Sequence, residues 1–229
     1  MPTHANALAV MAKAPIPGTV KTRLVPPLTQ EQAAELYRAL LSDQLEHLNS
    51  IEAADLYVAF TPSEAMPLIA SIVPTGYRCF AQCGADLGER MNEVFAELWR
   101  RGHRSLIVIG SDLPPMPLKT FQQGFAQLSA GGKRVVLGPS RDGGYYLIGM
   151  NQPVPEIFSG MTWSHERVLT ETTAKLARLG IDCRLLAEWF DIDTSKDMEQ
   201  LQAIVDPTTH ASMKRTLAYL EAIREYWQR

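Results

Sequence analysis

Short apolar runs along the chain alternate with longer stretches in which apolar residues recur every three or four positions. The runs at Leu8–Ala12, Leu56–Phe60, Arg78–Gln82 and Ser105–Gly110 predict strands, and the stretches at about 30–48, 63–72, 86–101 and 117–129 predict helices. Capping-box patterns support two helix starts, Thr29–Gln32 and Thr61–Glu64, the second with Pro62 at the first helical position; Asp86 and Glu89 repeat the pattern more weakly. The rhythm changes after residue 130. Two strand-like runs, 134–138 and 144–149, flank a Gly- and Asp-rich turn and predict a hairpin. A helix at about 164–179 stopping at Gly180, a strand near 183–187, a helix from about 195 and an amphipathic helix from His210 to Gln228 complete the reading.

This β/α alternation predicts a three-layer α/β/α arrangement around a mostly parallel, mixed sheet. With no internal repeat or linker, residues 1–229 are expected to form one domain, its last helix (about 209–228) packing on the rest. The sequence carries 22 Lys and Arg against 25 Asp and Glu, so a general nucleic-acid or membrane-surface binder is not expected. No apolar run approaches the roughly 18–20 residues that span a bilayer, and the opening segment lacks signal-peptide character, so a cytoplasmic location is expected. Cys79, Cys83 and Cys183 are odd in number and lie in strand-like or apolar surroundings, which predicts buried reduced thiols.

Polar chemistry gathers at predicted strand ends, where α/β sheets bind ligands. After the first strand, "MAKAPIPGTVKTRL" combines Gly18 with Lys13, Lys21 and Arg23, suited to phosphate oxygens. Its spacing is neither a P-loop nor a dinucleotide fingerprint, and a solvated Pro/Gly turn explains it as well. The fourth strand runs into Ser111 and Asp112, a carboxylate placed to hold Mg²⁺ or Mn²⁺ or simply to cap a turn. In "FDIDT", Asp191 and Asp193 share one side of an extended segment, and Asp193 or Thr194 also suits the N-cap of the next helix. "GPSRDGGYYLIG" offers Asp142, Gly143 and Gly144 as a hairpin tip or a sugar-binding edge, and "QCGADLGERM" offers Gln82, Gly84 and Gly88 near a base or ribose. His165, beside Trp163 and Ser164, reads as a surface histidine at a helix start.

Taken in order, "MAKAPIPGTVKTRL", "GADLGERM", "VIGSDLPPM", "GPSRDGGYYLIG" and "FDIDTSKDMEQL" resemble the bacterial GT-A-fold proteins grouped as arsenosugar-biosynthesis-type glycosyltransferases, within the nucleotide-diphospho-sugar transferase superfamily. The resemblance spans residues 7–203. It implies a Rossmann-like GT-A fold and a transferase with a nucleotide-sugar donor, a small-molecule acceptor and Mg²⁺ or Mn²⁺. By that resemblance Gly18, Lys21 and Arg23 form the phosphate loop, and the residues themselves add Ala12, Lys13, Gln82, Gly84, Gly88 and Ser111 around the nucleotide. Asp112 and Asp193, with Asp191, supply the metal ligands, while Asp142, Gly143, Gly144 and Trp163 face the acceptor. Asp112, Asp142 and Lys21 are the expected catalytic residues. Two departures matter: "GSDLP" has a single acid where glycosyltransferases of this fold carry Asp-x-Asp, a pattern closer to the superfamily's nucleotidyltransferases and similar to phospholactate guanylyltransferases, yet the "LAAGxGTRM" loop of sugar nucleotidyltransferases is absent. Nucleotidyl transfer from a nucleoside triphosphate is therefore the alternative, and a non-catalytic nucleotide-binding protein the second.

Overall fold

The structure, a computed structural model, describes residues 2–204 and 211–227 of the 229. Seven strands form one sheet: β1 (Asn6–Lys13), β2 (Asp55–Thr61), β3 (Tyr77–Ala81), β4 (Ser105–Gly110), β5 (Arg134–Pro139), β6 (Tyr145–Met150) and β7 (Asp182–Leu185), in spatial order β3-β2-β1-β4-β6-β5-β7. The helices are α1 (Gln30–Leu48), α2 (Met66–Ala70), α3 (Leu87–Arg100), α4 (Leu118–Ser129), α5 (Val168–Arg178), α6 (Ser195–Ile204), α7 (Lys214–Ala222) and α8 (Arg224–Trp227). β1 pairs in parallel with both β2 and β4, and β6 is antiparallel to β4 and β5, so the predicted hairpin makes the sheet mixed.

Both faces of the central strands are covered, which is why their sequences are continuous apolar runs without alternation. Along β1, Leu8 and Val10 join the layer that holds Tyr37 and Leu41 of α1, Ile69 of α2 and Phe121 of α4; Ala7 and Ala9 join the opposite layer, with Val94 and Phe95 of α3 and Leu176 of α5. The chain winds outward from β1 through β2 to β3, then crosses back by α3 to β4 on the other side of β1. That reversal opens a crevice at the carboxyl ends of β1 and β4.

A third cluster sits outside the two layers. Leu24 and Leu28 of the loop after β1 pack with Leu36 and Leu40 of α1, Phe190 and Ile192, Met198 and Leu201 of α6, and Leu220 of α7. A carboxylate ties α7 down: Asp43 of α1, buried, accepts from the backbone N–H groups of Arg215 and Thr216, from the Thr216 hydroxyl and from the Arg215 guanidinium. An acid from one helix thus caps the first turn of another, satisfying donors that the turn leaves unpaired.

Several boundaries differ from the sequence-based expectation for local reasons. The Thr29 capping box forms as predicted, but Thr61 ends β2 and caps nothing; the predicted helix at 63–72 is a 3₁₀ turn, Ser63–Ala65, followed by α2. The helix expected from 164 begins at Val168, because Ser164 is left-handed (φ 65°) and cannot lie inside a right-handed helix. Cys79 and Cys183 are half-buried, but Cys83 is exposed, against the expectation of a buried thiol. Residues 209, 210 and 228 of the expected C-terminal helix lie outside the described residues. No helix among those described is long and apolar enough to cross a membrane.

Asp43→Asn is expected to lower stability by about 2–4 kcal/mol, because it removes the charge from a buried, fully hydrogen-bonded acceptor. Arg215→Ala is expected to cost no more than about 1 kcal/mol, its guanidinium being largely in water. Urea unfolding of both variants checks this; equal effects would mean that the cap does not hold α7.

Candidate active site

The crevice at the ends of β1 and β4 is a cleft of about 660 Å³, within the usual range for small-molecule sites. Lys13, Lys21 and Arg23 reach it from β1 and the loop that follows, Ser111 and Asp112 from the end of β4, Asp142 and Gly144 from the β5–β6 turn, and Asp191 and Asp193 from the segment before α6. Thus all five polar stretches singled out in the sequence supply charged side chains to one place, the fifth through Arg90, with Gln82 beside it.

Lys21 is the centre of the charge arrangement. Its Nζ lies 2.9 Å from Asp112 Oδ1 and 3.1 Å from Asp193 Oδ1, with the side chain 1% exposed. Burial alone would lower the ammonium's pKa, but the two carboxylates outweigh it and hold the group above its ordinary value, so it stays charged. The exposed Arg23 reaches the other oxygen of Asp193 at 3.3 Å. The backbone at Lys21 is left-handed (φ 49°, ψ 36°). Lys21 and Ser164 are the non-glycine residues at positive φ among those described, and both border the cleft; strained backbone of this kind tends to gather at functional sites.

Neighbouring contacts hold Asp112 and Asp193 in place. Tyr37, buried on α1, shares a 2.7 Å hydrogen bond with the Ser111 hydroxyl and accepts from the Lys13 backbone N–H, linking the ends of β4 and β1. Burial and the nearby Asp112 charge push its phenol up, so it remains neutral. The Ile192 N–H donates to the Asp112 carbonyl at 3.0 Å, which sets the late segment beside the strand end. Ile192 is fully buried while Asp191 and Asp193 both border the cleft, the alternation expected of an extended segment. Thr194 and Asp197 then form a reciprocal cap at the start of α6, with Thr194 N donating to Asp197 Oδ2 at 2.7 Å.

Asp191 is the anomalous acid. Its carboxylate accepts from the Ser140 hydroxyl at 3.3 Å; burial first, then the charges of Asp112, Asp142 and Asp193, push its pKa up to about 7, against the pull of Lys21. Five carboxylates, those of Asp112, Asp142, Glu166, Asp191 and Asp193, therefore border the cleft, and Lys21 and Arg23 are paired to two of them, Asp112 and Asp193. Among the described residues no three His, Cys, Asp or Glu side chains converge into a ready-made metal group, because Lys21 stands between two of the three expected ligands. An excess of hard oxygen donors without a closed cage fits a cation such as Mg²⁺, which takes one or two carboxylates and completes its shell with water and substrate phosphate.

The other expected residues divide between the cleft and its surroundings. Ala12, Gly144 and Trp163 border the cleft, as does Gln82, whose amide nitrogen donates to the Ala12 and Ala59 carbonyls. Gly18, Gly84, Gly88 and Gly143 do not border it. Gly84 (φ 131°) turns the chain into α3, where a Cβ would lie 2.8 Å from the Arg90 backbone nitrogen, and a Cβ on Gly143 would overlap the Glu166 carbonyl. Gly88 gives Trp163 room to pack on α3. Asp142 accepts from the Gly144 N–H at 2.9 Å, so one of its oxygens shapes the turn. His165 borders the cleft too, and its Nδ1 accepts from the Arg167 N–H.

Tyr37 and Arg90 were not singled out in the sequence. Arg90 borders the cleft and donates from Nε to the Gly84 carbonyl; with Lys13 it is a cleft cation without a carboxylate partner among the described residues. Its signal was positional: it sits on α3 beside the buried stripe of Met91, Val94 and Leu98, one turn after Leu87, which also borders the cleft.

Asp191 gives a pH prediction. Because folding raises its pKa from 3.8 to about 7, the stability it contributes is fully present below about pH 4 and declines as pH rises through 7. In chelator-treated buffer, Asp191→Asn is expected to flatten that decline and to exceed the wild type at pH 8 by roughly 1–4 kcal/mol. Urea unfolding at pH 5 and pH 8 measures it, and an unchanged difference between the two pH values would contradict the placement of Asp191.

The structure is similar to the crystal structure of a candidate nucleotide-diphospho-sugar transferase from Desulfovibrio desulfuricans, with TM-score 0.88 and 29% identity over 98% of this chain and 99% of that one. Two more distant matches share the fold. One is a cytidylyltransferase from Leptospira borgpetersenii, with TM-score 0.57 and 13% identity over 97% of this chain and 94% of that one. The other is a Mycobacterium tuberculosis protein solved in complex with manganese, with TM-score 0.50 and 16% identity over 87% of this chain and 99% of that one. The architecture is thus the Rossmann-like fold of nucleotide-diphospho-sugar transferases and cytidylyltransferases. No curated protein matches the chain. Residues 44–165 match the profile of a family described as an uncharacterized protein conserved in bacteria, DUF2064, and the chain belongs to that family.

Proposed function

We propose that the protein is a transferase acting on a nucleotide-activated donor, with the diphosphate resting on Lys21 and Arg23 at the ends of β1 and β4. The observation that carries this reading is the buried Lys21 ammonium held between a strand-end acid and a late acid, inside a cleft at the sheet's reversal point. Glycosyl transfer is the form of the reaction that the resemblance to GT-A glycosyltransferases favours, and the Desulfovibrio relative is described in nucleotide-diphospho-sugar terms.

In that reaction negative charge builds on the departing diphosphate. A preorganised cation stabilises such charge more in a dry cleft than in water, and fixed electrostatics of this kind is often the largest catalytic contribution. Lys21 supplies a buried point charge, and Arg23 a fork able to take two phosphate oxygens. Asp112 and Asp193, with Asp191 beside them, would hold Mg²⁺ or Mn²⁺; such an ion supplies further charge neutralisation at the leaving group when bound. The relative solved with manganese supports that choice of ion. On the acceptor side Asp142 uses one oxygen in its turn and keeps the other to orient or deprotonate an acceptor hydroxyl. Trp163 and Gly144 also border the cleft.

Nucleotidyl transfer is the second reading. A single carboxylate at the end of β4 supports it, as do Lys13 and Arg90, cleft cations with no carboxylate partner among the described residues that suit the longer anion of a triphosphate. Free nucleoside diphosphate marks glycosyl transfer as the product, and pyrophosphate marks nucleotidyl transfer.

Calorimetric titration with UDP, GDP, CDP, ADP and their triphosphates, with and without Mn²⁺, tests the proposal. One nucleotide is expected to bind in a metal-assisted way, and Lys21→Ala and Asp112→Asn are each expected to weaken that binding at least tenfold. No binding of any nucleotide would overturn the reading.

A further inference from the structure

The Lys21 ammonium lies between Asp112 and Asp193, where a cation shared by both carboxylates would lie. Its side chain is almost completely withdrawn from water, so the carboxylates replace most of its hydration. The two acids are 46% and 37% exposed, which leaves their outer sides open to an approaching anion or ion. The left-handed backbone at residue 21 aims the side chain inward from a short loop whose turns close through Thr19 N to Ile16 O and Leu24 N to Lys21 O. Like charges this close repel, so in the free protein something positive must stand between them, and Lys21 fills that place.

We propose that Lys21 is a resident counter-ion that keeps divalent metal off the Asp112–Asp193 pair until a polyphosphate draws the ammonium onto its own oxygens. The proposal rests on the nucleotide reading of the cleft and adds to it a coupling between two ligands. Metal and ammonium compete for the same carboxylate oxygens, and a bound polyphosphate offers the ammonium another partner while contributing ligands to the metal. Each ligand therefore raises the affinity of the other, by the same factor in both directions. The free protein binds metal weakly, and an enzyme of this design holds its ion only while substrate is present.

Electron paramagnetic resonance of free Mn²⁺ tests this on the full chain, titrating wild type, Lys21→Met and Lys21→Met/Asp112→Asn with Mn²⁺ alone and with Mn²⁺ plus inorganic pyrophosphate. Signals are corrected for Mn²⁺ bound to pyrophosphate in solution. Lys21→Met is expected to bind Mn²⁺ alone at least tenfold more tightly than the wild type, and the double variant to lose that gain. Pyrophosphate is expected to raise the wild type's Mn²⁺ affinity at least tenfold and to add little in Lys21→Met. In thermal melts, Mn²⁺ alone is expected to raise the Tm of Lys21→Met and leave that of the wild type unchanged. Equal Mn²⁺ affinity in wild type and Lys21→Met would overturn the proposal. If Lys21→Met proves unstable, the wild type decides: Mn²⁺ affinity unaltered by pyrophosphate overturns it. A gain of Mn²⁺ affinity in Lys21→Met without pyrophosphate or nucleotide binding to any of the proteins would instead overturn the nucleotide reading and support the counter-ion role.

Discussion

One buried ammonium holds together parts of the chain that are far apart in sequence. Lys21 follows the first strand, Asp112 ends the fourth, and Asp193 precedes the helix that starts at Ser195, yet Lys21 Nζ contacts both carboxylates within about 3 Å. A charge so withdrawn from water is tolerable only while its partners stay in place, and breaking such a group by removing one member typically costs about 3–5 kcal/mol. The loop after β1 and the segment before α6 are therefore constrained by electrostatics as well as by packing.

The packing is arranged to serve that constraint. Leu24 and Leu28 anchor the loop that carries Lys21 and Arg23, while Phe190 and Ile192 anchor the strand-like segment that carries Asp191 and Asp193; all four belong to one cluster with α1, α6 and α7. The C-terminal helices thus stand behind the site although α7 contributes no residue to the cleft. Asp43 fastens α7 to α1, and Tyr37, two turns earlier on α1, fastens the ends of β1 and β4. A single helix so links the C-terminal cap to the strand ends that form the cleft floor. Close packing at this density makes such supports rigid.

Much of this was legible in the sequence because the fold is locally consistent. Runs such as Leu56–Phe60, short, apolar and rich in strand formers, read as strands and are covered on both faces, and the Thr29 capping box marked the start of α1 to the residue. Lys21, Asp112, Asp191 and Asp193 stood out because charge directly after an apolar strand, or alternating with Ile192 in an extended segment, has no use in a core. The glycines serve the fold. Gly84 and Gly143 looked like places for a ligand to approach the backbone, but their freedom is consumed by local turns against Arg90 and Glu166. Nor did any pattern in the sequence reveal the contact between Lys21 and its two acids, since long-range pairing leaves no local signature. Tyr37 was hidden because it sits on the inward stripe of a helix, where an apolar role is the ordinary expectation, and Arg90 because a helix arginine reads as a solvated surface charge.

The central claim is that the cleft at the ends of β1 and β4 receives the phosphates of a nucleotide. The most direct measurement is a crystal structure of the protein with its tightest-binding nucleotide and Mn²⁺. The account predicts phosphate oxygens within hydrogen-bonding distance of Lys21 and Arg23, with the Lys21 ammonium turned from the carboxylate pair toward them. A nucleotide bound elsewhere, or one lying in the cleft with Lys21 still closed on Asp112 and Asp193, would contradict it.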